Sequence, residues 1–221
     1  MFEPTIERRR IDGIKTIAID FDDVLVPCMR TFVDFCFFEN LAVGSLEALQ
    51  SIDFSKIFGC DYEKGQALFE AFVNSDHWTR MHATPPSESC LRKLKELKRE
   101  GYRLIVVTAR EHRFEEITRR YLDVYFDDIF DDVKLCNYYG KVDERNPRTT
   151  KAEMCRREGC SMLIDDNYAY VKEVELALGI RCILFGRNSW TRYWAKRIDR
   201  EHGRVVTEWD DINVDEIRRI L

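Results

Sequence analysis

The sequence contains no C-x-x-C pair, although it has eight cysteines: Cys28, Cys36, Cys60, Cys90, Cys136, Cys155, Cys160 and Cys182. Without paired thiol ligands a structural zinc site is not expected, and His77, His82, His112 and His202 add no metal-ligand spacing. Several of the cysteines fall in predicted helices or strands, where a thiol acts as a small apolar side chain. Reduced thiols and a cytoplasmic setting are the expectation. Positive charge is not in excess either. A net charge of −5 over 221 residues does not suit a nucleic-acid binder. No apolar run is long enough to span a bilayer, so no membrane partner is expected. The first ten residues, with Arg8–Arg9–Arg10 offset by Glu3 and Glu7, lack the apolar core of a signal peptide. The acidic patch at Asp127, Asp128, Asp131 and Asp132 does not have the spacing of an EF-hand loop. What is present, 45% hydrophobic and 34% charged residues, describes a soluble globular chain. Its length allows one domain with a sizeable insertion, or two small domains.

One stretch organises the rest. Ile17–Ala18–Ile19 is a short apolar run with β-branched residues, which reads as a buried strand of a parallel sheet. It ends abruptly in Asp20, Asp22 and Asp23. Ligands bind at the carboxyl ends of strands in open α/β sheets. Alternation along a strand points Asp20 and Asp22 the same way while the strand lasts. Three carboxylates this close repel one another unless a cation neutralises them, and hard oxygen ligands suit magnesium. Such an ion also lets an acidic protein take a small anionic substrate.

Between residues 27 and 84 no strand is evident. Met29, Phe32, Val33, Cys36 and Phe37 recur at helical spacing. Ser45 is placed to N-cap a second helix over 46–52, and a third is expected over 62–74. This stretch reads as a small helical cap, 27–84, inserted into a core domain made of 1–26 and 85–221. Phe32, Phe35, Phe38 and Trp78 form the cap's own core or line a pocket for a ring. A helical aromatic stripe is more often core, and Phe32 and Trp78 are the candidates to face a ligand.

After Pro85–Pro86, Ser87 caps a helix over 88–100, and Tyr102 to Val107 is a second buried strand ending in Thr108–Ala109–Arg110. Thr108 is either the N-cap of a helix over 111–121 or a hydroxyl that holds a phosphate oxygen. Its place after a second parallel strand favours the phosphate, with Arg110 as a further substrate contact. Val133 to Cys136 is a short strand and 137–150 a polar loop. Thr149 or Thr150 caps a helix over 151–158, and Met162–Leu163–Ile164 is a strand ending in Asp165–Asp166. A helix over 168–178, a strand over 181–185, a helix over 190–198 and a last helix over 214–221 follow. Strands alternating with helices predict a Rossmann-like, doubly wound parallel sheet.

Asp20–Phe21–Asp22–Asp23–Val24, Thr108, a downstream lysine and Asp165–Asp166 resemble, in order, the four motifs of the haloacid dehalogenase-like (HAD) phosphohydrolases. The resemblance runs from about Lys15 to Phe185. It implies a phosphomonoesterase in which Asp20 is the nucleophile and Asp22 the acid and base. Asp20, Asp22 (through its backbone carbonyl), Asp165 and Asp166 would hold Mg2+. Thr108 would bind a phosphate oxygen, and a lysine would offset its charge. Lys151, at a helix start one element before the last acidic pair, fits the family order better than Lys141. Within the superfamily the chain looks most like the deoxyribonucleotidases, which implies a nucleoside monophosphate as the small phosphorylated substrate. Two departures stand out. Asp23 replaces a Gly common in relatives, and Thr108–Ala109–Arg110 replaces a Thr-Ser-Pro type turn. A macromolecular phosphatase is disfavoured by a cap that roofs the site. A binding protein that has lost catalysis is disfavoured by retention of both Asp20 and Asp22.

Overall fold

A computed structural model of the protein describes residues 13–41, 60–186, 188–196 and 203–221. The expected Ser45 cap and the helix over 46–52 lie outside the described residues, as does the basic run at 8–10. Six parallel strands form one sheet: β1 (Thr16–Ile19), β2 (Arg103–Thr108), β3 (Asp132–Leu135), β4 (Cys160–Asp165), β5 (Arg181–Phe185) and β6 (Gly203–Val206). Their order is β3-β2-β1-β4-β5-β6. The chain thus winds outward twice from β1, and the order reverses between β1 and β4, where such sheets open a crevice.

Side-chain alternation splits these strands between two cores. Ile17 and Ile19 of β1, Leu104 and Val106 of β2, and Met162 and Ile164 of β4 face one cluster. Ala18, Ile105, Val107 and Leu163 face the other. Among the described residues nine α-helices cover the sheet. On the first side lie α1 (Cys28–Phe38), α2 (Tyr62–Val73), α3 (Asp76–His82), α4 (Glu88–Arg99) and α5 (Glu115–Tyr125). They contribute Phe32, Phe72, Trp78, Leu94 and Tyr121 to the first cluster. On the second side α6 (Lys151–Arg157) and α7 (Tyr168–Leu178) bury Ala152, Cys155, Val171 and Val174. Two short helices, α8 (Ser189–Ala195) and α9 (Val214–Ile220), close the described chain.

The ends of these helices follow from their sequences. Ser87 accepts from the Cys90 N–H at 3.2 Å to start α4. Thr150 and Glu153 form a capping box at the start of α6, which places Lys151 in its first turn. Gly179 ends α7 with φ 64°, a left-handed conformation that costs glycine little. All eight cysteines are free thiols. No helix of the described residues is long and apolar enough to cross a membrane.

Several boundaries depart from sequence expectation. The helix expected over 62–74 ends at Val73, and a further helix, Asp76–His82, follows it. The break comes at Ser75, whose hydroxyl turns back to the Phe72 carbonyl at 2.7 Å while its backbone is extended. The segment after Thr108 begins with a 3-10 turn, His112–Phe114, and α5 runs to Tyr125 rather than ending at 121. α8 ends at Ala195, short of the expected 198.

The loop after β1 folds tightly on itself. Leu25 and Val26 N–H groups both donate to the Phe21 carbonyl, at 2.9 and 3.1 Å, and Asp23 N–H donates to Val26 at 2.7 Å. Asp23 takes φ 58° to close it. This accounts for the departure at that position. Asp is one of the few side chains that visits the left-handed region, and here it adds something glycine cannot. Its carboxylate accepts from the Met29 N–H at 3.0 and 3.1 Å, in the first turn of α1. Asp23→Ala, which loses that bond and keeps the backbone strain, should lower stability by about 1–2 kcal/mol. Asp23→Gly should cost less, because glycine relieves the φ. Urea midpoints of the two variants check this; equal losses would show that the φ contributes nothing.

Candidate active site

The carboxyl ends of β1 and β4 meet at the point where the strand order reverses. Asp20 follows β1, Asp165 ends β4, and Asp166 follows it; all three are buried. Their carboxylate oxygens lie within 4.8 Å of one another. Lys151 reaches this group from the first turn of α6. Its ammonium lies 2.7 Å from Asp20 Oδ1 and donates to Asp165 Oδ2 at 2.5 Å. The aromatic face of Tyr170 packs 4.6 Å from the same nitrogen. Lys141 is exposed in the preceding loop. Geometry thus places Lys151, and not Lys141, among the acids.

One ammonium cannot compensate three buried carboxylates. Burial raises the proton affinity of Lys151's partners more than its charge lowers it: Asp20 is pushed up to about 7. Burial raises Asp166 well above the carboxylate range, with Asp23, Asp165 and Asp20 adding repulsion. Lys151 itself stays protonated, because Asp165 and Asp20 outweigh the burial that opposes its charge. Asp20 Oδ1, although close to the ammonium, has no aligned hydrogen-bond partner. An all-oxygen donor set with uncompensated negative charge fits a hard divalent cation such as Mg2+. Asp165 and Asp166 have their remaining oxygens oriented by neighbours. Asn167 N–H donates to Asp165 Oδ1 at 2.9 Å, and the Trp190 indole donates to Asp166 Oδ2 at 2.8 Å.

The Asp22 carboxylate is not part of this cluster. Arg110 grips it with two parallel bonds, Nε to Oδ2 and Nη2 to Oδ1, both 2.8 Å. Burial would raise the Asp22 carboxyl, but the Arg110 charge and its hydrogen bonds outweigh it and hold it below its ordinary value. The guanidinium is itself buried. It lies 4.3 Å from the Phe21 ring and 5.0 Å from Trp78, and its Nη1 meets Thr118 Oγ1 and His82 Nε2, each at 3.0 Å. The remaining His82 nitrogen, Nδ1, donates to the Trp78 carbonyl at 2.9 Å, so Nε2 is the acceptor and the ring is neutral. Thr108, fully buried at the end of β2, accepts from the Arg110 N–H at 3.3 Å.

These groups open into a cleft of about 1090 Å³. Asp20, Asp22, Thr108, Arg110, Asp166 and Trp78 line it; Lys151 lies beneath Asp20 rather than on the wall. Phe32 does not reach the cleft. It is 1% exposed and packs against Phe35 and Phe72, so it is core, as an aromatic helical stripe usually is. Sequence reasoning missed His82, Tyr170 and Trp190 as site residues. His82 sits one helical turn from Trp78, which is the only local sign. Trp190 meets Asp166 across a strand and a helix, and nothing in its own segment announces that.

The network around His82 makes a pH prediction. Burial, then the Arg110 charge, depress His82 to about 4, below its usual value of 6.5. The unfolded chain therefore binds a proton first as pH falls. The stability that the neutral ring contributes is complete above pH 6.5 and is lost as pH drops toward 4. Between pH 7 and 5 the loss should be about 1 kcal/mol after allowance for its partial exposure. His82→Gln should remove that part of the acid slope, measured as the difference in urea midpoints at the two pH values. An unchanged slope would mean that the ring is not held neutral.

No family model and no curated protein matches the sequence. Solved structures do. A "predicted phosphatase" from Clostridium acetobutylicum aligns with a TM-score of 0.64 at 15% identity, covering 93% of this chain and 97% of that one. A HAD family hydrolase from Deinococcus radiodurans R1, solved with bound phosphate and sodium, aligns at TM-score 0.58 and 12% identity over 93% and 96%. A "predicted phosphoglycolate phosphatase" from Haemophilus somnus 129PT aligns at TM-score 0.56 and 12% identity, over 95% of this chain and 100% of that one. At these identities the likeness speaks for architecture alone: the chain has the fold of the solved haloacid dehalogenase-like hydrolases.

Proposed function

We propose that the protein is a magnesium-dependent phosphomonoesterase that acts on a small phosphorylated metabolite through a phosphoaspartyl intermediate. The observation that carries this reading is the gathering of Asp20, Asp165 and Asp166 at the base of the cleft, with Lys151 between Asp20 and Asp165. Phosphate monoesters resist hydrolysis because their own negative charge repels a nucleophile, so a site must supply both a nucleophile and positive charge. Asp20 is the nucleophile. Its attack on phosphorus forms an acyl phosphate and expels the alkoxide, and water then cleaves the acyl phosphate to release phosphate and regenerate Asp20. Lys151 faces Asp20 from below and offsets charge there. Thr108, at the end of the neighbouring strand, offers its hydroxyl to a phosphate oxygen. Asp20, Asp165 and Asp166 would hold a Mg2+ ion, which would supply Lewis-acid charge at the phosphoryl group.

Asp22 is assigned the proton transfer to the leaving oxygen and, later, from water. Its fork with Arg110 favours the charged carboxylate and so opposes the acid half of that role until substrate loosens it. Alcohols that leave easily should therefore be the better substrates. The neighbours named as phosphatases are consistent with a phosphoester substrate. A nucleoside monophosphate, which the motif resemblance implies, is one member of this substrate class and rests on that resemblance alone.

Asp20→Asn should abolish hydrolysis of 4-nitrophenyl phosphate while leaving the melting temperature close to that of the unmodified protein. Retention of near-normal rates would refute the phosphoaspartyl route. Asp22→Asn should slow alkyl phosphates far more than aryl phosphates; equal slowing would remove its acid role. Added Mg2+ should raise the melting temperature, by relieving repulsion among the buried acids, and a chelator should reverse both this and the activity. No response to either would rule out a metal at this site.

A further inference from the structure

Of the ten large apolar side chains exposed among the described residues, four line the cleft that ends on Asp20: Tyr62 (63% exposed), Tyr139 (47%), Leu176 (78%) and Tyr193 (37%). Exposed apolar surface concentrated in a concave site marks a place that a ligand covers. The part built by α7 and α8 is preorganised. The Tyr168 and Trp194 rings lie parallel, 4.9 Å apart with 6° between their planes, and the Tyr193 ring meets Trp194 edge-on at 5.0 Å. Such a stack presents a fixed flat surface and loses little entropy when another ring is laid on it.

Charge in the cleft points the same way. Among the described residues that line it, the cations are Arg110 and Lys172. Arg110 is committed to Asp22, His82 and Thr118. Lys172 is exposed and lies 6.0 Å from the Tyr168 ring centre, where solvent screens it. A second anionic group on the substrate, such as a carboxylate, finds no uncommitted buried cation among the described residues there. The volume of about 1090 Å³ also lies just above the roughly 300–1,000 Å³ usual for ligand sites, more than a two-carbon alcohol fills.

We propose that Tyr168, Trp194 and Leu176 form a subsite for a flat, uncharged aromatic group on the alcohol side of the phosphate ester. This rests on the phosphomonoesterase reading above, and it adds the helices α7 and α8 to the stretch 27–84 as determinants of which ester is used. Within that stretch Phe32 and Phe72 are occupied in the core and Trp78 on Arg110, while Tyr62 and Phe69 line the cleft.

The test is binding of two non-hydrolysable probes in the presence of Mg2+, benzylphosphonate and propylphosphonate, by calorimetry. Both carry the phosphate-like group, and only one carries a ring. Benzylphosphonate should bind about ten-fold tighter, within the range seen for stacking on aromatic side chains. Tyr168→Leu should lower that preference several-fold. Leu176→Asp, at a position exposed enough not to disturb folding, should lower it too. Equal affinities in the unmodified protein, a preference unchanged in both variants, binding of neither probe, or tighter binding of 3-phosphonopropionate would each overturn the proposal. Turnover separates it from the broader reading. Hydrolysis of benzyl and propyl phosphate at matched rates, with no difference in probe affinity, removes the subsite and keeps the phosphatase. A benzylphosphonate preference in a protein that hydrolyses no phosphoester keeps the subsite and removes the phosphatase.

Discussion

The site depends on charge held out of water. Lys151 is buried between Asp20 and Asp165, and neither carboxylate would be tolerated there without it. The constraint propagates outward. The Thr150–Glu153 capping box fixes where α6 begins, and so where Lys151 stands. The parallel register of β1 with β4 sets Ile19 beside Ile164 and so brings the two acidic strand ends together. A second, separate neutralisation lies one step away, where Arg110 takes Asp22 out of the cluster. With two cations assigned, Asp20, Asp165 and Asp166 still bring more carboxylates together than their surroundings balance, an arrangement that suits a hard cation.

Much of this was legible in the sequence because it is written in local patterns. The runs Ile17–Ile19, Leu104–Val107 and Met162–Ile164 end in polar residues, and strand ends are where a parallel sheet keeps its chemistry. Thr150, Glu153 and Lys151 are adjacent, so the cap and the lysine can be read together. Phe32 was misassigned to the ligand because a helical stripe does not say which member faces the core; only packing against Phe72 decides it.

What was not legible is long-range. The Arg110–Asp22 fork joins two strand ends, and the sequence presents Arg110 as a candidate substrate contact rather than as the partner of Asp22. The Trp190–Asp166 bond and the Tyr168–Trp194 stack depend on where α8 lands against α7, which no periodicity encodes. Asp23 illustrates a middle case. Its departure from the resembling motif was visible, and the reason was not, because a positive φ and a bond to Met29 appear only once the loop is closed.

The strand order has a consequence for how the molecule comes into being. β1 lies near the start of the chain and pairs directly with β4, which lies far along it. Closing so long a loop is an entropic cost met only when the intervening helices and β2 and β3 have begun to pack. The carboxylates of β1 therefore wait, solvated and unpaired, until Lys151 and β4 arrive together. The geometry of the candidate site is a late product of folding, and its appearance during refolding reports that both halves of the sheet have docked.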